Sequence, residues 1–380
     1  MKAIHLASFS GNIGDVLSHE GTYNLFKRYF KKKINFKKLE IRDFYKNKKK
    51  INLHLVNYIN SFDFFLIGGG NYFELWVPNS YTGTSLNFNL ALFKKIRVPI
   101  IFHSLGVDIN QGIYKNNKKK FIDFLNAIKE KNCFLSIRND GSSKTLKNLI
   151  KNQNIHDLKF DLLPDCGFYH ESFFKNSRSI NTMGINLAGD MLKKRYGNQS
   201  DIKSFLKQIS KFILFFLNQN NINKIIIFPH IWKDYDIISS LLKILDEDTL
   251  RKRMIISRLE PNSFGIKNFK NDVGKCDYIL GMRFHSNVIA IRNQIPSIGL
   301  VNYPQIYNLY KEIGLQKRTV FTSSNNLFVK LKAIYVKDLT NLNKIRKKYS
   351  RINLNLDKKS EKVFNNMKSW FQKKKLGQDI

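Results

Sequence analysis

The chain has 380 residues, 43% of them hydrophobic and 13% aromatic, enough apolar content for a large core and enough length for two domains of ordinary size. A disordered chain, a disulfide miniprotein and a fibre are thereby excluded. The 65 Lys and Arg against 29 Asp and Glu, a formal net charge of +36, raise anionic partners without naming one. These cations are mostly Lys, are spread along the whole chain and accompany abundant Asn, Ile and Phe, as a codon bias toward A and T produces. Base composition therefore comes before anionic substrates or a membrane surface as the explanation, and no specific nucleic-acid binding is expected. The longest unbroken apolar runs, 212–217 and 225–228, fall far short of the ~18–20 residues that cross a bilayer. Residues 1–9 carry one Lys and lead into a glycine turn without a cleavage site, so they read as a first strand and place the chain in the cytoplasm. Cys133, Cys166 and Cys276 match neither a zinc pattern nor a redox pair and suit a reducing compartment.

Residues 2–8 form an apolar strand, 11–15 a turn and 16–30 a helix with apolar residues at mixed three and four spacing. The alternation continues with a strand at 34–41, a helix at 51–60 and a strand at 62–67 that runs into Gly68-Gly69-Gly70. A strand at 99–104, a helix at 118–130, a strand at 133–137, a helix at 141–150 and a short strand at 158–163 complete the first half. Continuous apolar strands separated by helices imply a parallel sheet covered on both faces, hence a doubly wound α/β domain over 1–170. The chain turns polar and irregular between 168 and 181, where a linker is expected. The second domain, 182–330, repeats the pattern with strands at 182–187, 224–229, 254–258, 278–281 and 297–301. Helices are expected at 202–219, 236–245 and 286–293, and a turn at 273–276. Two such domains facing each other leave a cleft, and parallel sheets bind ligands beyond the carboxyl ends of their strands. Residues 331–380 are Lys-rich, with apolar positions at helical spacing (Leu342, Ile345, Tyr349, Ile352; then Val363, Met367, Trp370, Phe371). The preferred reading is a terminal helix packing back across both domains; a basic helix held peripherally at the inner face of the cytoplasmic membrane stays open beside it.

Four loops carry the candidate chemistry. Ser10-Gly11-Asn12-Ile13-Gly14-Asp15 joins the first strand to the first helix, where glycines permit close backbone approach and the helix start offers unpaired N–H groups. Its spacing is neither a dinucleotide fingerprint nor a P-loop, so a phosphate or sugar hydroxyl is the expected ligand, with Asp15 either capping the helix or facing the cleft. Gly68-Gly69-Gly70-Asn71 follows a very apolar strand, and the aromatic residues after it (Tyr72, Phe73, Trp76, Tyr81) suit stacking against a sugar. Arg138 ends a buried strand with a planar fork suited to a carboxylate or phosphate, or else paired with Asp140; Asp165, in Leu163-Pro164-Asp165-Cys166-Gly167, reads as structural. The sharpest signal is Gly281-Met282-Arg283-Phe284-His285-Ser286, where a fixed cation and a group that titrates near neutrality leave the end of an apolar strand together. His230, at another strand end and followed by Asp234 and Asp236, is a weaker candidate. No metal-ligand spacing is present.

In order, Gly-Asn-Ile-Gly-Asp at 11–15, Gly-Gly-Gly-Asn at 68–71, Ser-Leu-Gly-Val at 104–107, Arg138 with Asp140 and Ser142, Pro164-Asp165, Gly184-Ile185-Asn186, Pro229-His230 and Gly281-Met282-Arg283-Phe284-His285 resemble the polysaccharide pyruvyl transferase family over residues 1–305. The resemblance implies two Rossmann-like domains similar to the B-type glycosyltransferases. It also implies transfer of a pyruvyl group from phosphoenolpyruvate to two hydroxyls of a cell-surface polysaccharide, such as a capsule, or of its lipid-linked precursor. In that scheme Arg138 and Arg283, with His285, Ser286 and His230, hold the donor, which lies on the side of the second domain, and His285 is also the general acid. Asp15, on the opposite domain, is the base, and Gly11, Asn12, Gly14, Gly69, Gly70 and Asn71 meet the acceptor sugar. No cofactor or metal is required. Where the family has Asp-Glu-Ala this chain has Asp15-Val16-Leu17, so no role is carried over for that Glu. A glycosyltransferase using a nucleotide sugar and a non-catalytic sugar-binding relative remain as alternatives.

Overall fold

The computed structural model describes residues 1–45, 48–173 and 179–374. Fourteen strands occur among them: β1 (Lys2–Ala7), β2 (Asn35–Glu40), β3 (Phe64–Gly68), β4 (Phe73–Glu74), β5 (Ile100–Leu105), β6 (Val107–Asp108), β7 (Phe134–Ile137), β8 (Asp161–Leu162), β9 (Thr182–Asn186), β10 (Lys224–Ile227), β11 (Met254–Ile256), β12 (Tyr278–Gly281), β13 (Ser297–Val301) and β14 (Thr319–Phe321). They build two six-stranded sheets, ordered β2-β1-β3-β5-β7-β8 and β11-β10-β9-β12-β13-β14, with β4 and β6 as a separate pair, and every pairing is parallel. β3 is buried at all five positions and β13 likewise, which is what continuous apolar runs buy in a sheet covered on both faces.

The orders locate the sites. Renumbered within each sheet, the second runs 3-2-1-4-5-6, the dinucleotide-fold order, and the first runs 2-1-3-4-5-6. The order therefore reverses between β9 and β12 in one and between β1 and β3 in the other. A crevice opens at such a reversal because the connections on its two sides leave over opposite faces. The segments beyond those four strand ends are 187–190, 282–286, 8–12 and 69–71, which include three of the four loops that the sequence singles out.

The chain divides into two compact units. One comprises 1–9, 18–170 and 356–380, the other 10–17 and 171–355. The change of unit near 170 falls at the polar stretch, part of which (174–178) lies outside the described residues. Residues 331–355 belong to the second unit and the described residues from 356 on to the first, and segment 10–17 joins the second unit. The first half of the helix Leu342–Lys373 belongs to the second unit and its second half to the first. In the first unit this second half buries Val363, Phe364, Met367 and Phe371, with Phe364 edge-on to Phe26 (5.3 Å) and Phe371 to Phe64 (5.4 Å). In the second unit Ile13, Val16 and Leu17 pack with Ile226, Phe228 and Ile279. The turn expected at 273–276 is instead the end of a helix, Gly265–Lys275, because Phe269 and Val273, four apart, share a buried face. No described helix is long and apolar enough to cross a membrane.

Candidate functional site

In the second unit the loop after β12 is fixed before any ligand arrives. Asn186, the last residue of β9, accepts a hydrogen bond from the Arg283 amide (2.8 Å) and donates to the Phe228 carbonyl (2.8 Å), tying together the exits of β9, β10 and β12. One turn into the helix Phe284–Arg292, Asn287 donates to the carbonyls of Gly281 (3.0 Å) and Arg283 (2.9 Å). The Tyr310 hydroxyl donates to Asn287 Oδ1 (2.8 Å) and lies 3.2 Å from Ser297 Oγ, which in turn lies 3.1 Å from the Tyr349 hydroxyl. Tyr349 accepts from Arg318 Nε (3.1 Å), and Arg318 grips Asp338 with both terminal nitrogens (3.0 and 2.6 Å). Ser286, expected at the donor, turns its hydroxyl back onto the Arg283 carbonyl (2.7 Å).

Arg283 is already engaged. Its Nε donates to Asp234 Oδ2 (2.8 Å), and Nη2 donates to Asp234 Oδ1 and to Asp190 Oδ1 (2.8 Å). Asp190 also accepts from Arg195 Nε (3.1 Å), so two guanidiniums and two carboxylates form a neutral set. Asp234, fully buried, takes further bonds from the amides of Gly189 (2.9 Å), His230 (2.8 Å) and Ile231 (3.2 Å). Burial opposes the charge on both partners, yet Asp234 and Asp190 hold Arg283 firmly protonated, and Arg283 and Arg195 keep the Asp190 carboxyl below its ordinary value. Among the described residues Nη1 of Arg283 has no hydrogen-bond partner, which leaves one edge of the fork for a ligand.

His285, 7% exposed, lies against the first glycine loop: a Cβ on Gly14 would stand 2.5 Å from its Nδ1. Only a glycine lets the helix start approach the imidazole this closely. The Ile13 amide donates to the His230 carbonyl (3.0 Å) and the Gly11 amide to the Pro261 carbonyl (3.2 Å), which anchors segment 10–17 in this unit. Asn12, not Asp15, caps the helix Ile13–Tyr29: its Oδ1 accepts from the Gly14 amide (2.9 Å), while its Nδ2 donates to Asp15 Oδ1 (3.2 Å). Asp15 and His285, assigned above to opposite domains, thus belong to one unit. The His230 ring, 1% exposed and edge-on to Phe269 (5.1 Å), is driven well below its ordinary pKa by burial, with Arg283 and His285 adding to the effect. It is neutral at physiological pH, and its Nε2 makes no hydrogen bond among the described residues. Two residues on, Trp232 is 63% exposed and stacked on Tyr235 (5.8 Å between centroids).

The first unit holds the other candidates. Gly69 adopts a φ of +82°, and a Cβ there would lie 2.7 Å from His19 Nδ1. His19 Nε2 bonds the Ser8 carbonyl (2.7 Å), and the Gly70 carbonyl accepts from the Gly106 amide (3.0 Å). Asn71 Oδ1 and Arg138 Nη2 flank Gly106, and Asn71 donates to Asp108 (3.2 Å). Arg138, 4% exposed at its side chain, pairs with Asp140 (2.5 Å) and Asp165 (3.4 Å). Asp165 caps the Gly167 amide (2.8 Å), a structural task. The acceptor residues expected together are therefore divided, Gly11, Asn12 and Gly14 in one unit and Gly69, Gly70 and Asn71 in the other. The expected aromatic platform is not assembled: Tyr72 and Phe73 are buried in the core, Trp76 is half-buried and donates to Glu74 (2.7 Å), and Tyr81 alone of the four is largely exposed. Beneath the glycine loop lie three buried histidines, His5, His19 and His103, with His5 bonded to the Tyr23 hydroxyl (3.0 Å) and the Gly68 carbonyl (3.2 Å). Burial lowers His103 to a pKa of about 3 and His5 well below its ordinary value, the latter helped by His19.

Sequence reasoning quoted Asn186 and Asp234 within motifs without giving either a role, and missed Asp190, Asn287 and Trp232. The signal for Asn186 was the Gly-Ile-Asn motif itself; that for Trp232 was an isolated tryptophan two residues beyond Pro229-His230. Among the described residues no group of three or more His, Cys, Asp and Glu side chains is placed to hold a metal ion.

The sequence model of one protein family, described as polysaccharide pyruvyl transferase, matches residues 12–303. No curated protein matches the chain in sequence. Among solved structures, the fold is similar to a Listeria monocytogenes protein described as a putative UDP-N-acetylglucosamine 2-epimerase (TM-score 0.58, 9% identity, covering 98% of this chain and 97% of that one). It is also similar to S. aureus MnaA solved with UDP (TM-score 0.54, 11% identity, 98% and 97% covered) and to a UDP-N-acetylglucosamine 2-epimerase (TM-score 0.52, 12% identity, 93% and 90% covered). At these identities the likeness is one of fold, the two-Rossmann-unit fold of the B-type glycosyltransferases and related epimerases.

Proposed function

This chain belongs to the polysaccharide pyruvyl transferase family and is a transferase, and on that premise we propose that it moves the pyruvyl group of phosphoenolpyruvate onto two hydroxyls of a polysaccharide sugar, or of its lipid-linked precursor at the inner face of the cytoplasmic membrane. The observation that carries the reading is the packing of His285 against Gly14, at the start of the helix bearing Asp15 and two residues from the open edge of Arg283. The donor's carboxylate or phosphate meets Arg283 Nη1. His285 delivers a proton to the methylene carbon of the enol as one sugar oxygen bonds to its neighbour, and Asp15 takes the hydroxyl proton. The second hydroxyl passes its proton to the His285 imidazole and displaces phosphate, which takes up the proton held by Asp15, so that phosphoenolpyruvate and a diol become a pyruvyl ketal and inorganic phosphate. No metal or further cofactor enters this balance. Trp232, exposed beside His230, is the aromatic face on which the acceptor ring stacks.

The test is thermal stabilisation of the purified protein by phosphoenolpyruvate, UDP and GDP at moderate salt, because +36 invites nonspecific anion binding. Stabilisation by phosphoenolpyruvate alone, lost in Arg283→Lys, is expected, and His285→Ala retains that binding while abolishing phosphate release in the presence of acceptor. Stabilisation by a nucleotide and not by phosphoenolpyruvate would replace this reading with nucleotide-sugar transfer.

A further inference from the structure

Beyond residue 303, outside the matched region, the second unit carries a groove of about 1140 Å³ between the helices Leu327–Leu339 and Leu342–Lys373. Its lining is one-sided in charge. Lys317, Arg318, Lys337, Lys344, Lys347, Lys348 and Arg351 face a single carboxylate, Asp338, which Arg318 already holds in a two-pronged pair. Lys348 donates to the Gly314 carbonyl (2.9 Å), but Lys317, Lys337, Lys344, Lys347 and Arg351 have no acidic partner among the described residues. The rest of the lining mixes four aliphatic residues, Ala333, Ile334, Ile345 and Ile352, with Tyr349 and the polar Asn341, Asn343 and Asn355. Val336, Leu339 and Leu354, chain neighbours of lining residues, are 46%, 41% and 59% exposed.

The groove is not a sample of the chain's general basicity. A second groove, in the first unit, also presents lysines (Lys115, Lys118, Lys119), but it includes Asp123 and is otherwise almost wholly polar, with Ile122 as its one aliphatic residue. Five uncompensated cations around four aliphatic residues select a ligand with both an anionic head and a hydrocarbon chain: the head gains from charges that have no internal partner, and the chain from covering apolar surface. Free phosphate satisfies only the rim and a neutral lipid only the floor. We propose that this groove binds the phosphate or diphosphate head of a lipid, with the first part of the hydrocarbon chain lying over Ile334, Ile345 and Ile352. The site is separate from the pyruvyl-transfer chemistry proposed above, and since it is read by binding, without turnover, either reading can fail alone.

Farnesyl diphosphate, inorganic diphosphate and farnesol serve as probes in calorimetric titrations of the full chain at 0.15 M salt, an ionic strength at which bare surface attraction is screened beyond about 8 Å. Farnesyl diphosphate should bind at least about tenfold more tightly than diphosphate, because each buried methylene adds roughly 0.8 kcal/mol, and farnesol should bind weakly. The triple variant Lys344→Ala/Lys347→Ala/Arg351→Ala changes only exposed side chains and should keep its melting temperature while losing that binding. The variant Lys115→Ala/Lys118→Ala/Lys119→Ala, with the same change in net charge, should keep it. Ile334→Asn should abolish the advantage of farnesyl diphosphate over diphosphate. Equal affinity for diphosphate and farnesyl diphosphate, equal loss in both triple variants, or no binding of farnesyl diphosphate would each overturn the proposal.

Discussion

Arg283 meets its own two carboxylates before it meets a ligand, and this decides how its substitutions should be read. Removing the guanidinium leaves Asp234, fully buried, with backbone amides and no cation. Breaking a buried pair in this way costs about 3–5 kcal/mol, and the three amides place the expected loss at the lower end. Urea unfolding of Arg283→Ala should accordingly show a reduced midpoint, whereas Arg283→Lys should recover part of the stability and none of the phosphoenolpyruvate binding, since an ammonium lacks the fork. The same residue scale governs Gly14. A methyl group there would meet His285 Nδ1 at 2.5 Å, so the imidazole must move. Gly14→Ala should cost about 1–3 kcal/mol of stability, as overpacking does, and lower turnover through His285. In a double-mutant cycle, adding Gly14→Ala to His285→Ala should then cost little further activity; full additivity would detach the glycine from the histidine.

At the scale of elements, the loops after β1, β3, β7 and β12 could be read in the sequence, because glycine and charge interrupt apolar runs at those points. The partners of Arg283 could not. Asp190 follows β9 and Asp234 follows β10, and only the 3-2-1-4-5-6 order, which sets β9 beside β12, brings them to a residue some fifty to ninety positions away. The strap Pro304–Glu312 was equally hidden, yet its Tyr310 steadies Asn287 and through it the Arg283 loop. Tyr310→Phe keeps the ring and removes the hydroxyl. It should weaken phosphoenolpyruvate binding several-fold with a melting point within a few degrees of the parent, corresponding to about 1 kcal/mol for one hydrogen bond; unchanged binding would confine Tyr310 to packing. Of the histidines under the glycine loop, His5 and His103 make a second element-scale prediction, with a definite sign. Buried neutral, with His103 at a pKa of about 3 against an unfolded value near 6.5, they stabilise the fold fully above the unfolded value. That contribution is lost as the pH falls below it, because the unfolded chain takes up the protons. Each such histidine adds a slope of up to roughly 1.4 kcal/mol per pH unit below about pH 6. His103→Leu, which removes a ring that makes no hydrogen bond among the described residues, should flatten the acid limb of a stability-versus-pH curve by one proton's worth.

At the scale of the whole molecule, the two units exchange ends: 10–17 leaves the first for the second, and 356–380 returns from the second to the first. The sequence pattern registered the apolar spacing of the last helix and favoured a helix that packs back on the fold, but it left a membrane-surface helix open, since a basic amphipathic stretch reads alike whether its apolar face meets a membrane or a core. In the fold that face is already occupied. Val363, Phe364, Met367 and Phe371 are at most 3% exposed, the Tyr169 hydroxyl donates to the Leu356 carbonyl (2.8 Å), and the Trp370 indole donates to the Asn132 carbonyl (2.9 Å). Burying four such side chains stabilises the first unit by roughly 6–12 kcal/mol at about 1.5–3 kcal/mol each, as much as an entire domain commonly has in reserve, about 5–15 kcal/mol. A chain ending at Asn355 should therefore fail to fold its first unit even though every residue of both sheets remains, because Phe26, Phe64 and His103 would lose the rings that cover them. Limited proteolysis of the truncated protein should degrade 18–170 while sparing 171–355, whose core does not include the missing half-helix. Were the last helix instead a membrane-surface element, the truncated protein would keep the protease resistance of both units and lose only its affinity for anionic vesicles.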